Sequence, residues 1–183
     1  MFRFTPSNML VLANIVVYIF TSISGGDFIQ TNLRILETCG QFNYLVLNGW
    51  WWQLLTSMFV HFNIGHLILN MLFLFTFGIR AETLFSIKEY ILVYFASGIS
   101  GNLLTLLLGP DVISAGASGA IFGLFGACVI YLRKTLKQSI MGAIIYSLFL
   151  LIMSGGRGVN IAAHAGGLAA GLIIGYAIAE RHT

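Results

Sequence analysis

Charged residues are scarce in this chain: only 8% of its 183 residues are Asp, Glu, Lys or Arg, whereas a soluble domain carries about 25%. So few charges cannot cover a water-soluble surface, which excludes soluble, disordered and nucleic-acid-binding proteins. Two cysteines, Cys39 and Cys128, cannot form a disulfide scaffold, and we place Cys39 in a loop and Cys128 in a membrane span. Because 58% of the residues are hydrophobic, the class that remains is a polytopic membrane protein.

Long apolar runs predict an all-α protein with six membrane spans. Since one span needs about 20 apolar residues, six leave no room for a soluble domain, and we predict a single membrane domain over residues 1–183. The first run is interpreted as a span and not as a removed signal peptide, because no small-residue cleavage site follows it. The predicted spans are about 8–24, 54–79, 89–108, 115–132, 138–154 and 160–179.

One connection between the predicted spans is long, residues 25–53. It mixes polar and apolar residues and ends in three consecutive tryptophans, Trp50 to Trp52. Tryptophan concentrates at the level of the lipid headgroups, and mixed apolar and polar segments lie in the membrane interface. We therefore expect an interfacial first loop.

The basic residues predict the orientation of the bundle. With six spans both termini share one side, and that side carries seven of the nine Lys and Arg residues. Arg34 and Arg157 lie on the other side. Because Lys and Arg are enriched in cytoplasmic loops, we place both termini in the cytoplasm and the 25–53 connection outside.

A few polar residues lie within or at the ends of the predicted spans, where polar groups are costly and mark candidate functional sites. These residues are His61, His66, Asn70, Ser118 and His164.

The fourth span is expected to begin as a helix near Ser118, because Gly109-Pro110 and the small residues 114–117 disfavour an earlier start. From Ser118 to Leu132 a helix would cover about 22 Å, less than the roughly 30 Å of a bilayer core. Arg133 and Lys134 hold its cytoplasmic end. Ser118 is therefore expected below the outer surface, where non-helical backbone must line a watery cavity.

The last span carries His164 on the same helical face as Gly167 and Gly171. Small residues four apart allow two helix backbones to approach closely in lipid. If this face meets Gly119 of the fourth span, Ser118 and His164 come within reach of each other. A serine beside a histidine is a nucleophile with its base.

An oxyanion site is expected beside Ser118. The N–H groups of residues 116–119 should be free at the start of the helix and favour negative charge. His66 and Asn70, four residues apart on one face, could donate to the same oxyanion, while His61 is better placed to order the adjoining loop. Both aspartates, Asp27 and Asp111, fall in predicted outer connections, so we expect a dyad and not a triad.

Three segments in this order resemble the motifs of the rhomboid intramembrane serine proteases, over essentially the whole chain. They are His61-x-x-x-x-His66-x-x-x-Asn70, Gly116-x-Ser118-Gly119 followed by Gly123, and Ala163-His164-x-x-Gly167-x-x-x-Gly171.

The resemblance implies a minimal six-helix rhomboid-like bundle whose cavity opens outside the cell membrane. It implies Ser118 as the nucleophile and His164 as the general base, with no cofactor or metal. His66, Asn70 and the Ser118 backbone N–H would form the oxyanion hole. Substrates would be single-pass transmembrane proteins, cut within or near the outer end of their span. Supporting residues would be His61, Gly116, Gly119, Phe122, Gly167 and Gly171.

Two positions depart from the family pattern. Gln53 follows Trp52 where the family often has arginine, and this loses a side chain expected to tie the first loop together. Phe122 stands where tyrosine is common, and its ring is still expected to stack on the histidine. Glu82 matches a family acidic residue, expected to be structural. The fifth span, which ends at residues 154–156, is a candidate gate for the substrate.

Three other functions fit parts of the pattern. A haem protein could use His61, His66 and His164 as ligands, and a visible absorption band would reveal it. A transporter could use the same polar cavity, but the expected internal repeats are not found. A non-catalytic protein that binds membrane clients would normally lack the serine or the histidine, and both are present.

Overall fold

The computed structural model describes residues 4–137 and 160–183, together with residues 139, 141, 142 and 145. Five described helices are long and apolar enough to cross a membrane, namely Pro6–Gly25, Ile64–Leu84, Ile87–Leu108, Ser118–Leu136 and Ile161–His182. In chain order the elements are α1 (Pro6–Gly25), α2 (Leu33–Cys39), β1 (Gln41–Phe42), α3 (Asn43–Leu47), α4 (Gln53–Thr56), α5 (Ile64–Leu84), α6 (Ile87–Thr105), a 3₁₀ turn (Leu106–Leu108), β2 (Ile113–Ser114), α7 (Ser118–Leu136) and α8 (Ile161–His182).

These five helices correspond to five of the six predicted spans. The predicted fifth span, 138–154, and its proposed hinge at 154–156 lie outside the described residues apart from a few isolated positions. The count of six spans therefore stays a prediction.

The predicted start of the second span at residue 54 is wrong. Residues 53–56 form the separate short helix α4, and α5 begins only at Ile64. The Asn63 side chain accepts a hydrogen bond from the His66 N–H and so caps the start of α5. Hydropathy cannot separate the two helices, because the intervening residues are also largely apolar.

The helix of the fourth span begins at the predicted residue and ends later than predicted. α7 begins at Ser118, as the preceding glycine and proline indicated, but it continues past the predicted Leu132 to Leu136. Arg133 and Lys134 lie in its last turn, where basic side chains complement the negative end of the helix dipole. The helix therefore continues through both basic residues.

Helix α7 forms the centre of the bundle and is the most buried of the five long helices. It packs against α8, α6 and α5, while α1 packs on the outside against α5. The core around it is filled by large apolar and aromatic side chains, including Leu74, Tyr90, Tyr94 and Leu124.

Polar contacts join the helix ends at one end of the bundle. Glu82 near the end of α5 accepts a 2.7 Å hydrogen bond from the Ser7 N–H at the start of α1. His182 at the end of α8 lies 3.0 Å from the Tyr131 hydroxyl of α7 and 3.1 Å from the Glu89 carboxylate of α6. The first described residues and the C-terminal residue therefore lie at the same end. The structural role expected of Glu82 agrees with its contact.

The 25–53 connection is folded, not an open loop. It contains α2 and α3, so Cys39, expected in a loop, is the last residue of a helix. Strand β1 pairs antiparallel with β2, so that Gln41 lies opposite Ser114 just before α7. The sequence analysis missed these strands because two residues are too few to show a period. An interfacial position for this connection stays a prediction.

Gln53 holds the connection together, contrary to the expected loss of a tie at this position. The side chain is fully buried, and its Nε2 donates to the carbonyls of Glu37 at 2.7 Å and Thr38 at 3.3 Å. Its Oε1 accepts from the Phe42 N–H at 2.9 Å. One amide thus joins α4 to the end of α2 and to β1.

We predict that Gln53→Leu lowers the stability of the protein by about 2–4 kcal/mol, because three backbone groups lose the partner that the buried Gln53 amide supplies. Thermal unfolding in detergent micelles measures the change. Asn48→Ala is the control, since it also removes a side-chain hydrogen bond, to Tyr44, but at an exposed position. Equal unfolding temperatures for the two variants would contradict the role assigned to Gln53.

Candidate active site

A cavity of about 400 Å³ lies between α5, α7 and α8. One part of its wall is aromatic, with Phe73, Phe77 and Phe125. The remaining wall carries polar side chains from four segments of the chain. They include Asn63, His66, Asn70, Ser118, Asn160 and His164.

Ser118 and His164 are hydrogen-bonded in this cavity. The Ser118 Oγ lies 2.8 Å from the His164 Nε2, as the shared glycine faces of the two helices predicted. The Phe122 ring stacks on the His164 ring, with centroids 4.5 Å apart and planes inclined by 23°. The stacking expected without the tyrosine hydroxyl is therefore present.

No carboxylate completes a triad within the described residues. The His164 Nδ1 is buried without a hydrogen-bond partner there. Asp27 is used elsewhere: its carboxylate accepts from the N–H groups of Ile29 and Gln30, and these bonds lower its pKa. The Ser118–His164 pair thus has no third polar member among these residues, and the Phe122 ring packs against the histidine ring.

Close contact between the α7 and α8 backbones brings the two side chains together. A Cβ at Gly167 would collide with the backbone carbonyl of Gly119, and a Cβ at Gly171 with that of Gly123. The predicted meeting of the two small-residue faces is thus confirmed. The side chain of His164 needs this contact to reach Ser118 at the start of the neighbouring helix.

The turn before Ser118 lies against His66. Gly116 has a φ of +125°, which favours glycine, and a Cβ there would fall 2.7 Å from the His66 Cε1. The expectation that all N–H groups of residues 116–119 are free is wrong for Gly116, whose N–H donates to the Ser57 carbonyl at 2.9 Å. The Ser118 N–H precedes the first helical bond of α7, from the Ile121 N–H.

Asn70 and His61 take different places around His66. Asn70 lines the cavity one turn further along α5, and its Nδ2 donates to the His66 carbonyl at 2.9 Å. His61 is fully buried and its ring packs edge-on against His66, with centroids 5.2 Å apart. The His61 carbonyl accepts from the Thr31 hydroxyl, which ties the 25–53 connection to this region.

Comparison with known proteins identifies the family. The Rhomboid domain model matches residues 48–181. The chain belongs to the rhomboid family. It is 32% identical to the putative rhomboid protease YdcA of Bacillus subtilis, over 98% of this chain and 92% of that protein. It is 33% identical to the rhomboid protease GluP of the same organism, over 95% of this chain.

The relatives differ in length. The chain spans 35% of the length of GluP. It spans 66% of the rhomboid-like protease 3 of Toxoplasma gondii, to which it is 32% identical over 90% of this chain. Membership of the rhomboid family together with the apolar helices makes this a multi-pass membrane protein.

Two asparagines of the rhomboid cavity were missed in the sequence analysis. Asn160 caps α8, because its Oδ1 accepts from the Ala163 N–H at 3.0 Å, and an asparagine before an apolar run is a recognised helix start. Asn102 lines the cavity from α6, and an amide within a predicted span was itself a signal. In the described part of the chain, no three His, Cys, Asp or Glu residues lie close enough to hold a metal ion.

We predict that Gly167→Ala destabilises the protein by about 1–3 kcal/mol, because overpacking forces the α7 and α8 backbones apart. Thermal unfolding in micelles measures this change. The matched control is Ala169→Val, which enlarges an exposed side chain on the same helix and should leave the unfolding temperature nearly unchanged. A Gly167→Ala protein as stable as the control would show that the helices tolerate separation.

Proposed function

We propose that this rhomboid-family chain is an intramembrane serine endopeptidase that uses Ser118 as nucleophile and His164 as general base. The observation that carries the proposal is the 2.8 Å hydrogen bond between the Ser118 Oγ and the His164 Nε2. It lies in a cavity that also holds polar groups able to bind an oxyanion. Relatives that match most of this chain are named as proteases, which supports a peptidase.

The reaction is acyl transfer to water. As the Ser118 Oγ attacks the scissile carbonyl carbon, the His164 Nε2 takes its proton, which requires the neutral ring to carry its hydrogen on Nδ1. The imidazolium then gives that proton to the leaving amine, and the C–N bond breaks. A water molecule then loses a proton to His164 and attacks the ester carbonyl of the acyl-enzyme. The C–O bond to Ser118 breaks, the imidazolium returns the proton to the Ser118 Oγ, and the product acid leaves.

The oxyanion of each tetrahedral intermediate is assigned to the Ser118 N–H and the side chains of His66 and Asn70. Two observations support this assignment. His66 lies against the turn at Gly116, and Asn70 lines the same cavity. Donors held in place before the reaction stabilise the developing charge without reorganisation.

Single-pass transmembrane proteins are the proposed substrates, cut within or near the outer end of their span. The aromatic wall of the cavity suits the apolar side chains of such a segment. In an intact helix each interior carbonyl is already hydrogen-bonded, so the segment must unwind before the Ser118 Oγ can reach it. The aqueous face of the cavity then supplies the hydrolytic water.

The membrane arrangement belongs to the same proposal. The chain is a single domain over residues 1–183 with six spans in the cell membrane, both termini in the cytoplasm and the cavity open to the outside. The excess of Lys and Arg on the side of the termini supports it, as does the meeting of the described ends at one end of the bundle. The proposed gate, the fifth span, lies outside the described residues.

We predict that Ser118→Ala reduces cleavage of a single-pass reporter by at least about 10³-fold, because loss of a catalytic nucleophile removes most of the rate enhancement. The assay uses purified protein in proteoliposomes and follows the reporter fragments by gel and mass spectrometry. Ser22→Ala is the control, since Ser22 is a buried serine of α1 outside the cavity lining. Equal cleavage by wild type and Ser118→Ala would overturn the assignment of the nucleophile.

We further predict that His66→Phe lowers kcat by about 10²–10³-fold with little change in KM, as expected for removal of one oxyanion donor. Phenylalanine retains a ring to pack against Phe62 and His61 and removes the N–H group. The control is His182→Phe, at the opposite end of α8 from His164. A His66→Phe enzyme with the wild-type kcat would exclude this histidine from the oxyanion hole.

A further inference from the structure

Asn102 joins α6 to α4 and to Ser57, the residue directly after α4. Its side chain is 6% exposed, and its Nδ2 donates to the Leu54 carbonyl at 2.8 Å and to the Ser57 Oγ at 2.9 Å. Both hydrogens of the amide nitrogen therefore go to another element. An asparagine that served only its own helix would bond the carbonyl one turn earlier, as Asn14 does with Leu10 in α1.

Ser57 connects Asn102 to the backbone beside the nucleophile. Ser57 is 1% exposed, and while its hydroxyl accepts from Asn102, its carbonyl accepts from the Gly116 N–H at 2.9 Å. Gly116 is the residue whose positive φ forms the turn before Ser118. Two hydrogen bonds and one residue thus separate Asn102 from the turn that precedes Ser118 and lies against His66.

The same turn of α6 also holds the helix that carries His164. The Thr105 hydroxyl, one turn after Asn102, accepts from the Asn160 Nδ2 at 2.7 Å, and Asn160 caps α8. Gly101, beside Asn102, contacts the Ala163 carbonyl so closely that a Cβ would collide with it. One turn of α6, Gly101–Thr105, therefore holds both the Gly116 turn before Ser118 and the start of α8, which carries His164.

We propose that Asn102 is a positioning residue for the oxyanion site, and that it acts through Ser57 on the Gly116 turn. This inference rests on the proposed protease function and deepens it. Asn102 does not transfer a proton; it holds Ser57, and Ser57 holds the backbone that sets the direction of the Ser118 N–H. A small displacement of an oxyanion donor weakens the hydrogen bond that the donor forms in the transition state, which lowers kcat. Substrate binding depends less on this donor, so KM changes less.

The test measures kcat and KM for four variants in proteoliposomes with the single-pass reporter. They are Asn102→Ala, Ser57→Ala, the double variant and Asn14→Ala. Asn14 is the matched control, a fully buried asparagine of α1 with its own side-chain hydrogen bond. Asn102→Leu, which keeps the branched shape and the number of side-chain heavy atoms, is added so that a folded protein without the two donors is available.

We expect Asn102→Ala and Asn102→Leu to lose about 10–100-fold in kcat with KM unchanged, the loss typical of a displaced catalytic group. Asn14→Ala should lose comparable thermal stability and retain the wild-type kcat. Because Asn102 acts through Ser57, the double variant should be no slower than Asn102→Ala alone. If the two residues acted independently, the fold losses in kcat of the two single variants would multiply in the double variant.

Two results would overturn the inference while leaving the protease intact. One is a kcat for both Asn102 variants within twofold of Asn14→Ala, which would make Asn102 a packing residue. The other is a double variant whose loss equals the product of the single losses, which would separate Asn102 from Ser57. Absence of Ser118-dependent cleavage by the wild-type protein would be different, since it overturns the proposed function and this inference together.

Discussion

The candidate site depends on one physical constraint: α7 and α8 must touch backbone to backbone. In lipid, no hydrophobic effect drives two apolar helices together, and association relies on close packing. Gly167 and Gly171 supply that packing, because each lies against a carbonyl of α7 that leaves no space for a side chain. At this separation the Ser118 hydroxyl and the His164 ring, which lie on separate helices, share a hydrogen bond. The cavity between these helices and the stacking of Phe122 on His164 both depend on this contact.

Buried amides determine how the remaining elements attach to that pair of helices. Gln53 closes the connection after α1, Asn160 caps α8, and Asn102 joins α6 to the segment before α5. Each satisfies backbone or hydroxyl groups that have few other partners in a membrane protein, where an unpaired buried polar group is costly. An amide suits this task because it donates and accepts without carrying a charge.

Local sequence patterns located some elements of this protein and misplaced or missed others. The start of α7 at Ser118 and the meeting of the two glycine faces were predicted, because both depend on local rules for helix starts and residue spacing. The start of α5 was misplaced, since the segment before it is as apolar as a span. The β1–β2 pair and the three bonds of Gln53 were missed, because their partners lie far away in the chain. Asn102 was overlooked although an amide in a span is a recognisable signal.

By itself the sequence determined the class of the protein, the approximate positions of the helices and a short set of polar residues able to carry chemistry. These properties follow from composition, from the length needed to cross a bilayer and from the 3.6-residue period of a helix. Only the tertiary structure decided which of those residues meet, that the Gly116 N–H is already bonded to Ser57, and that Gln53 replaces the expected tie. Hydrogen bonds between distant segments depend on how the helices pack, and no local pattern encodes that packing.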